Sequence, residues 1–323
     1  MKRLITLLIY ILILTILLIY KITADDNEYY GNLLQYGTDS DIVKAFSQVH
    51  EDLGSSVNKK ALEIFQEKHS ERVYLTIVQY IGLVRLQKAQ DILLKELSRK
   101  TKHDDYREGV INTIGELKNS GSLDALSEIY NKKQTSIRIK KAIIDAYGKI
   151  GNKGIEVILI EIAENEYEDK ELRARAILAL GEMRSKESIN LLQNVLLNTY
   201  EDKILRMYAA SSLSKIGGES SLAALAKVID DEIHEVAEYA VNGIAEIKSE
   251  DGGDILIRAL RSDYDKVRYY AILGLSYIKY RKAVDILQFK AEYDSNELIR
   301  KEAKKALKVI QGTAEDQKQA VTE

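Results

Sequence analysis

The 323-residue sequence contains no cysteine, no proline and no tryptophan, and only three phenylalanines. Without cysteine the chain has no disulfide framework and no thiolate metal site. It also offers no cysteine that a lipid could modify, which excludes a lipoprotein. Lysine and arginine are spread along the chain without a basic block, and the formal net charge is −3. Nothing in the sequence therefore points to nucleic acid.

One long apolar run is present, Leu4 to Tyr20, and it follows Lys2 and Arg3. As a helix the run would be about 26 Å long, close to the ~30 Å hydrocarbon thickness of a bilayer. Two interpretations stay open, an uncleaved membrane anchor and a signal peptide that is cleaved after Ala24. Because the basic residues precede the run, we expect the rest of the chain to lie outside the cytoplasmic membrane.

A glycine recurs every 33 residues inside an apolar frame, at Gly82, Gly115, Gly148 and Gly181. The frame continues with the glycine replaced, at Ser214, Ala245, Ser276 and Lys308. We number each frame from this column as zero. Columns −9, −5, −4, −1 and +2 are then apolar or alanine, which is the spacing of one face of a helix. A period of this size is typical of a solenoid of stacked units.

The repeat predicts an all-α fold, a right-handed superhelix of eight helix pairs from Ser55 to Gln311. A capping helix, Asp39 to Leu53, precedes them. Terminal caps are expected where each unit buries itself only against its neighbours. The predicted segments are an anchor or signal peptide at 1–22, a polar linker at 23–38, the solenoid at 39–312 and a disordered tail at 313–323.

Column −8 is basic, and an acidic residue commonly precedes it, such as Asp202 or Asp265 in N-cap position. The basic residues are Arg107, Lys140, Arg173, Arg206, Arg268 and Arg300. On a helical wheel this column falls within the buried arc. We therefore expect a structural ladder in which these side chains pair with N-cap aspartates along the stack.

The frame resembles the HEAT-repeat family, specifically the short subclass named after phycobilisome lyases. Its unit reads Asp-x-x-x-Arg-x-x-Ala-x-x-Ala-Leu-Gly-x-Ile, and Asp169 to Met183 and Asp265 to Ile278 match it best. The resemblance covers most of the chain and implies a helical solenoid. Such repeats serve mostly as binding scaffolds and only occasionally as enzymes.

Two enzymatic analogies follow from that resemblance, and we favour neither. Deoxyhypusine hydroxylase, a HEAT-repeat enzyme, binds two irons through four His-Glu pairs. Only His50-Glu51 and His234-Glu235 are such pairs here, and they lie about five repeats apart. Bilin lyases work in the cytoplasm of photosynthetic cells, which disagrees with an export leader. No phosphate loop or nucleophile elbow is present, so we predict no enzyme activity, no cofactor and no metal.

Tyrosine is the unusual aromatic, with 20 copies. Column −6 holds Tyr208, Tyr239 and Tyr270 in three successive frames, and solvent-side columns −7, −3 and +1 nearby hold apolar residues. The candidate partner-binding set is Tyr208, Tyr239, Tyr269, Tyr270, Leu273 and Tyr277, beside Met207. The same solvent-side columns are polar in earlier frames: Glu108, Asn112, Glu116, Lys141, Asp145 and Lys149. Two interpretations stay open, a protein interface and packing at repeat junctions.

These patterns predict a non-enzymatic scaffold on the outer side of the cytoplasmic membrane, attached through Leu4 to Tyr20. It would hold a protein partner on its concave face within an envelope assembly of secretion, wall synthesis or motility. The alternatives are a maturation factor or cryptic enzyme that acts on an exported substrate, and a structural spacer.

Overall fold

The computed structural model describes residues 27–99 and 103–312, and these form helices joined by short turns, with no strand among them. They fall into two compact units that divide after Ile150. The helices of the first unit are α1 (27–36), α2 (Asp39–Phe46), α3 (Ser55–Glu63), α4 (Glu71–Leu83), α5 (Gln90–Leu97), α6 (Asp104–Glu116), α7 (Leu123–Asn131) and α8 (Ile137–Ile150). Those of the second unit are α9 (Lys153–Glu164), α10 (Lys170–Glu182), α11 (Ile189–Leu197), α12 (Lys203–Ile216), α13 (Gly218–Leu225), α14 (His234–Ile247), α15 (Gly253–Ala259), α16 (Asp265–Tyr277), α17 (Val284–Tyr293) and α18 (Glu297–Gln311).

The glycine frames form the even-numbered helices from α4 to α18, which we call the frame helices. In the first unit α6 packs against α4 and α8. In the second unit each frame helix from α10 to α16 packs against the frame helix that follows it, ending with α18. From α5 onward, each odd-numbered helix packs against the frame helix that follows it. This order matches the predicted helix pairs, and the all-helical fold is confirmed. The handedness of the superhelix stays a prediction.

Burial follows the predicted columns closely. Columns −9, −5, −4 and −1 are buried in all frame helices from α4 to α16, as at Leu172, Ala176, Ile177 and Leu180 of α10. Column +2 is mostly half-buried, because it lies where the helix ends. In α18 the column −4 residue is Lys304, which is exposed. The last described helix therefore carries a polar residue where the others meet a following repeat.

The glycine column exists because neighbouring frame helices approach closely there. A Cβ on Gly181 would lie 2.7 Å from the Cα of Ser212, which occupies column −2 of the next frame helix. On α12 and α14 column zero carries a side chain, and column −2 of the following frame helix is glycine: Ser214 meets Gly243, and the Cβ of Ala245 lies 2.8 Å from a Cβ placed on Gly274. The glycine moves from one side of the contact to the other, and the close approach is retained.

Two expectations for the N-terminal part need correction. Residues 27–36, expected to belong to a polar linker, are helical. They pack because Leu34 is buried and the Tyr30 ring lies edge-on to Phe46, with ring centroids 5.3 Å apart. The predicted capping helix to Leu53 ends earlier, at Phe46.

The predicted localisation is contradicted. No helix in the described part of the chain is long and apolar enough to cross a membrane; α18 has 15 residues, whereas a span needs about 20. The predicted placement of the body outside the cytoplasmic membrane belongs to this contradicted localisation. The run Leu4 to Tyr20 and the predicted tail 313–323 lie outside the described residues.

Candidate protein-binding surface

The six candidate residues lie on three consecutive frame helices of the second unit, α12, α14 and α16. Tyr208, Tyr239 and Tyr270 occupy the same column, and each is half-buried. This degree of exposure places each ring partly against its own repeat and partly in solvent. A row of amphipathic rings at a wet edge suits a protein interface.

One side of α16 forms a continuous apolar stripe. Tyr269, Leu273 and Tyr277 are spaced four residues apart, so they project from the same side of the helix. Tyr277 is 59% exposed, and the ammonium of Lys248 lies 5.1 Å from its ring centroid, a cation–π contact. The Tyr269 and Tyr270 rings meet edge-on with centroids 5.5 Å apart. We call this stripe, together with Tyr208, Tyr239 and Tyr270, the aromatic surface.

On α6 and α8 of the first unit, the corresponding face carries ion pairs instead. The guanidinium of Arg138 on α8 lies 2.6 Å from Asp105 and donates from Nε to Glu108 at 2.7 Å, both on α6. Lys149 and Glu116, in column +1 of the same two helices, are 2.6 Å apart. These charges on α6 and α8 are thus satisfied within the chain, whereas α16 leaves apolar surface in the same columns.

Three arginines of the ladder, Arg173, Arg206 and Arg268, are buried and ion-paired. Arg206 is 1% exposed; its Nε donates to the carbonyl of Leu196 at 2.9 Å and its guanidinium lies 2.5 Å from Asp231. Arg173 makes the same pattern, with its guanidinium 2.8 Å from Glu201. Arg268 lies 3.0 Å from Asp294. Burial works to raise the pKa of Asp294, but the hydrogen bond from Arg268 and its other donors hold that pKa below its usual value.

The acidic partners differ from the predicted ones. Asp169 and Asp202 accept hydrogen bonds from the backbone at the start of their own helices, because N-cap geometry turns the carboxylate towards those N–H groups. Glu201, Asp231 and Asp294, which precede the next frame helix, pair with the arginines. Asp265 does pair with Arg268, at 2.5 Å, from the first turn of α16.

The remaining members of the basic column are less buried. Arg107, Lys140 and Arg300 are half-buried. The ammonium of Lys140 lies 5.0 Å from the Tyr130 ring centroid, and Arg300 donates to the carbonyl of Asp294 at 2.6 Å. The ladder therefore consists of ion pairs at Arg173, Arg206 and Arg268, whereas Lys140 and Arg300 make other contacts.

The first frame helix has Tyr74 in column −8, and sequence reasoning missed the cluster around it. Arg99 lies over the Tyr74 ring at 4.3 Å, and its Nε is 2.5 Å from Glu96. The buried Tyr106 hydroxyl donates to the same carboxylate at 2.5 Å. Burial and that hydrogen bond raise the pKa of Tyr106. The sequence did carry a signal for this cluster: column −8 is basic in most frames but holds a tyrosine in α4.

The histidine pairs show no shared site. His234 Nδ1 is 3.4 Å from its neighbour Glu235, and no group of three or more possible metal ligands occurs among residues 27–99 and 103–312. His69, which the sequence did not single out, does hold a partner: its Nδ1 lies 2.7 Å from Asp39. That hydrogen bond, with those from Ser70, lowers the pKa of Asp39 to about 2.

Comparison with known proteins supports the family and the fold. Residues 156–245 match a family model described as HEAT repeats, so the resemblance to HEAT-repeat proteins is confirmed. No curated protein matches the sequence. Kap121p is similar in structure, with a TM-score of 0.50 and 14% identity, over 89% of this chain and 37% of Kap121p.

Two enzymes also appear among the similar structures. Human deoxyhypusine hydroxylase is 15% identical with a TM-score of 0.36, over 87% of this chain and 99% of that enzyme. The phycocyanin lyase complex of a Nostoc species is 14% identical with a TM-score of 0.44, over 78% of this chain and 93% of the lyase chain. Neither likeness carries a functional argument at these scores, and the likeness to Kap121p shows the shared fold alone.

Proposed function

We propose that this HEAT-repeat chain is a non-enzymatic scaffold that binds a protein partner through its aromatic surface. The observation that carries the proposal is the stripe Tyr269, Leu273 and Tyr277 on α16. On α6 and α8 the same columns are polar, with Glu108 and Glu116 in ion pairs, so the repeat itself does not require apolar residues there.

The chemistry of the surface suits protein recognition. Tyrosine combines apolar contact area with a hydroxyl that can face water, and it is enriched where truncation weakens protein interfaces most. Ion pairs flank the surface within the second unit, including Lys203 with Glu235 at 2.7 Å and Lys266 with Glu238 at 3.2 Å. An apolar centre with a charged rim is the usual anatomy of an interface.

A site-specific crosslinking experiment tests this proposal. A photoreactive amino acid replaces Leu273 in the full chain, which is expressed in its native cells and then irradiated. We expect a discrete crosslinked species that disappears when Tyr239→Ala and Tyr269→Ala are added. The matched control places the same photoreactive residue at Asn112, column −3 of α6, where we expect no such species. Equal crosslinking at both positions would contradict the proposal.

A further inference from the structure

Three neighbouring frame helices present different chemistry in the same three solvent-side columns, −7, −3 and +1, whose residues are half-buried or exposed. The residues on α14 are acidic or polar, those on α16 are apolar, and those on α18 begin with two lysines. In that order they are Glu238, Asn242 and Glu246; Tyr269, Leu273 and Tyr277; and Lys301, Lys305 and Val309. We call these nine residues the polarised seam.

Contacts show that equal columns of neighbouring frame helices lie side by side. The α16 helix packs against both α14 and α18. In column +1 of the same unit, Lys215 of α12 forms an ion pair with Glu182 of α10. The apolar stripe of α16 therefore has an acidic rim along α14, carried by Glu246 because Glu238 is already paired with Lys266 at 3.2 Å, and a basic rim along α18.

Column +1 shows where this rim departs from the rest of the chain. Glu116 pairs with Lys149 in the first unit, and Glu182 pairs with Lys215 in the second. Glu246 is the next acid of the series, but Tyr277 stands where a lysine would complete its pair. Glu246 instead accepts hydrogen bonds from two neutral donors, Ser214 and Asn242, each at 3.3 Å. A carboxylate with neutral donors can still gain a charge-assisted bond from a cation.

The opposite rim is basic and exposed. Lys301 and Lys305 point to the same side of α18 because they are four residues apart. Lys305 has 58% of its side chain exposed and pairs at 2.7 Å with Glu302 of its own helix. Such rim charges give direction and specificity to a partner more than raw affinity.

We propose that the polarised seam binds an amphipathic helix of a partner protein, with basic residues on one flank of its apolar stripe and acidic residues on the other. The inference rests on the proposed function and specifies the partner. From Tyr269 to Tyr277 the stripe runs about 12 Å along the α16 axis. That length accepts about two helical turns, with apolar anchors spaced three or four residues apart.

Synthetic helical peptides test the charge requirement directly. All share one leucine stripe; their flanks carry lysine on one side and glutamate on the other, lysine on both sides, or glutamate on both. We expect the mixed peptide to bind the full chain about tenfold more tightly than either control, with the advantage falling as salt rises. Equal binding of the three peptides, or no binding of any, would overturn the inference.

Two variants sharpen the test. Because Glu238 is already paired with Lys266, Glu246→Lys removes the free acid of the α14 rim and adds a cation there, so we expect the preference to switch to the peptide with glutamate on both flanks. Tyr277→Lys restores the acid–base couple found at Glu116 and Glu182, so we expect it to keep its melting temperature and lose the mixed peptide. Unchanged peptide preference in a folded Glu246→Lys variant would also overturn the inference.

The orientation of the bound peptide along α16 provides a third readout. Exchanging the lysine and glutamate flanks of the mixed peptide should reverse its orientation along α16. A nitroxide at the peptide N-terminus would then broaden the NMR signals of Tyr277 with one peptide and of Tyr269 with the other; the same orientation for both contradicts the inference. The two proposals can be told apart. If crosslinking from position 273 persists while all three peptides bind equally, the proposed scaffold function is supported and the inference about a partner with oppositely charged flanks is wrong.

Discussion

Frame helices α6 and α8 of the first unit and α16 of the second share one repeat but differ in what they expose. On α6 and α8 the solvent-side columns hold ion pairs such as Glu116 with Lys149. On α16 the same columns hold Tyr269, Leu273 and Tyr277. The buried columns are alike in both units because each repeat must pack on its neighbours. The exposed columns carry no such requirement, so their change of character points to function.

The buried ladder should give the largest effect on stability. Arg206→Ala leaves Asp231 without its cation in a buried setting, and we expect a loss of about 3–5 kcal/mol in the free energy of unfolding. Lys203→Ala on the same helix removes an exposed pair with Glu235 and should cost less than about 1 kcal/mol. Urea unfolding measures both, and similar costs for the two variants would contradict a distinction between buried and exposed columns.

The next largest effect on stability is expected at the close contact between frame helices α10 and α12. Gly181→Ala forces a Cβ against Ser212 and should cost about 1–3 kcal/mol, as overpacking does. The double change Gly181→Ser with Ser212→Gly reproduces the natural arrangement of Ser214 and Gly243, so we expect it to recover most of the loss. A double variant no more stable than Gly181→Ala would show that the two sides of the contact are not interchangeable.

A smaller effect is expected when the aromatic arrangement is copied into the first unit. Lys149→Tyr places tyrosine opposite Glu116, as Tyr277 stands opposite Glu246. Because the pair it breaks is exposed, we expect a change below about 1 kcal/mol in the free energy of unfolding. A much larger loss would mean that only the packing of the second unit tolerates tyrosine there, which would favour junction packing over an interface.

The smallest effect concerns an exposed charge of the first unit. The hydrogen bond from His69 and those from Ser70 hold the pKa of Asp39 at about 2. A carboxyl whose pKa is lowered by folding stabilises the fold above its unfolded value of 3.8 and loses that contribution as pH falls towards 2. NMR titration of His69→Ala should show the pKa of Asp39 rising, while Asp41, held by Thr38, should not change. An unchanged pKa of Asp39 would contradict the assigned cause.

Much of the fold could be predicted from the period alone. The apolar columns are short-range and repeat along the chain, so the burial of Leu172 or Val267 follows from helix geometry. The exchange of glycine between columns zero and −2 could not be predicted from the sequence, because it depends on the distance between neighbouring frame helices. The arginines pair with acids that precede the next frame helix: Glu201, Asp231 and Asp294. These acids lie in connecting segments that do not follow the repeat pattern, so the sequence indicated the N-cap aspartates as partners instead.

The candidate surface, too, could be predicted from the sequence only in part. The sequence located the aromatic residues because their columns depart from the polar pattern of Glu108 and Lys141. It did not indicate how exposed Tyr277 is, or that Lys248 covers its ring, because both depend on the packing of α14 beside α16. The membrane anchor was predicted from the apolar length of Leu4 to Tyr20 and its basic flank, and no helix in the described part of the chain is long and apolar enough to cross a membrane.

The most direct test of the account uses the partner isolated by crosslinking at position 273. Its affinity is measured by titration calorimetry for the wild-type chain, for Tyr239→Ala with Tyr269→Ala, and for Glu108→Ala with Lys141→Ala. We predict that the tyrosine variant keeps its melting temperature and loses about 2 kcal/mol or more of binding free energy, roughly 30-fold in Kd. The charge variant should bind as the wild type does. A tyrosine variant that melts early yet binds normally when folded would contradict the account and assign the rings to packing between repeats.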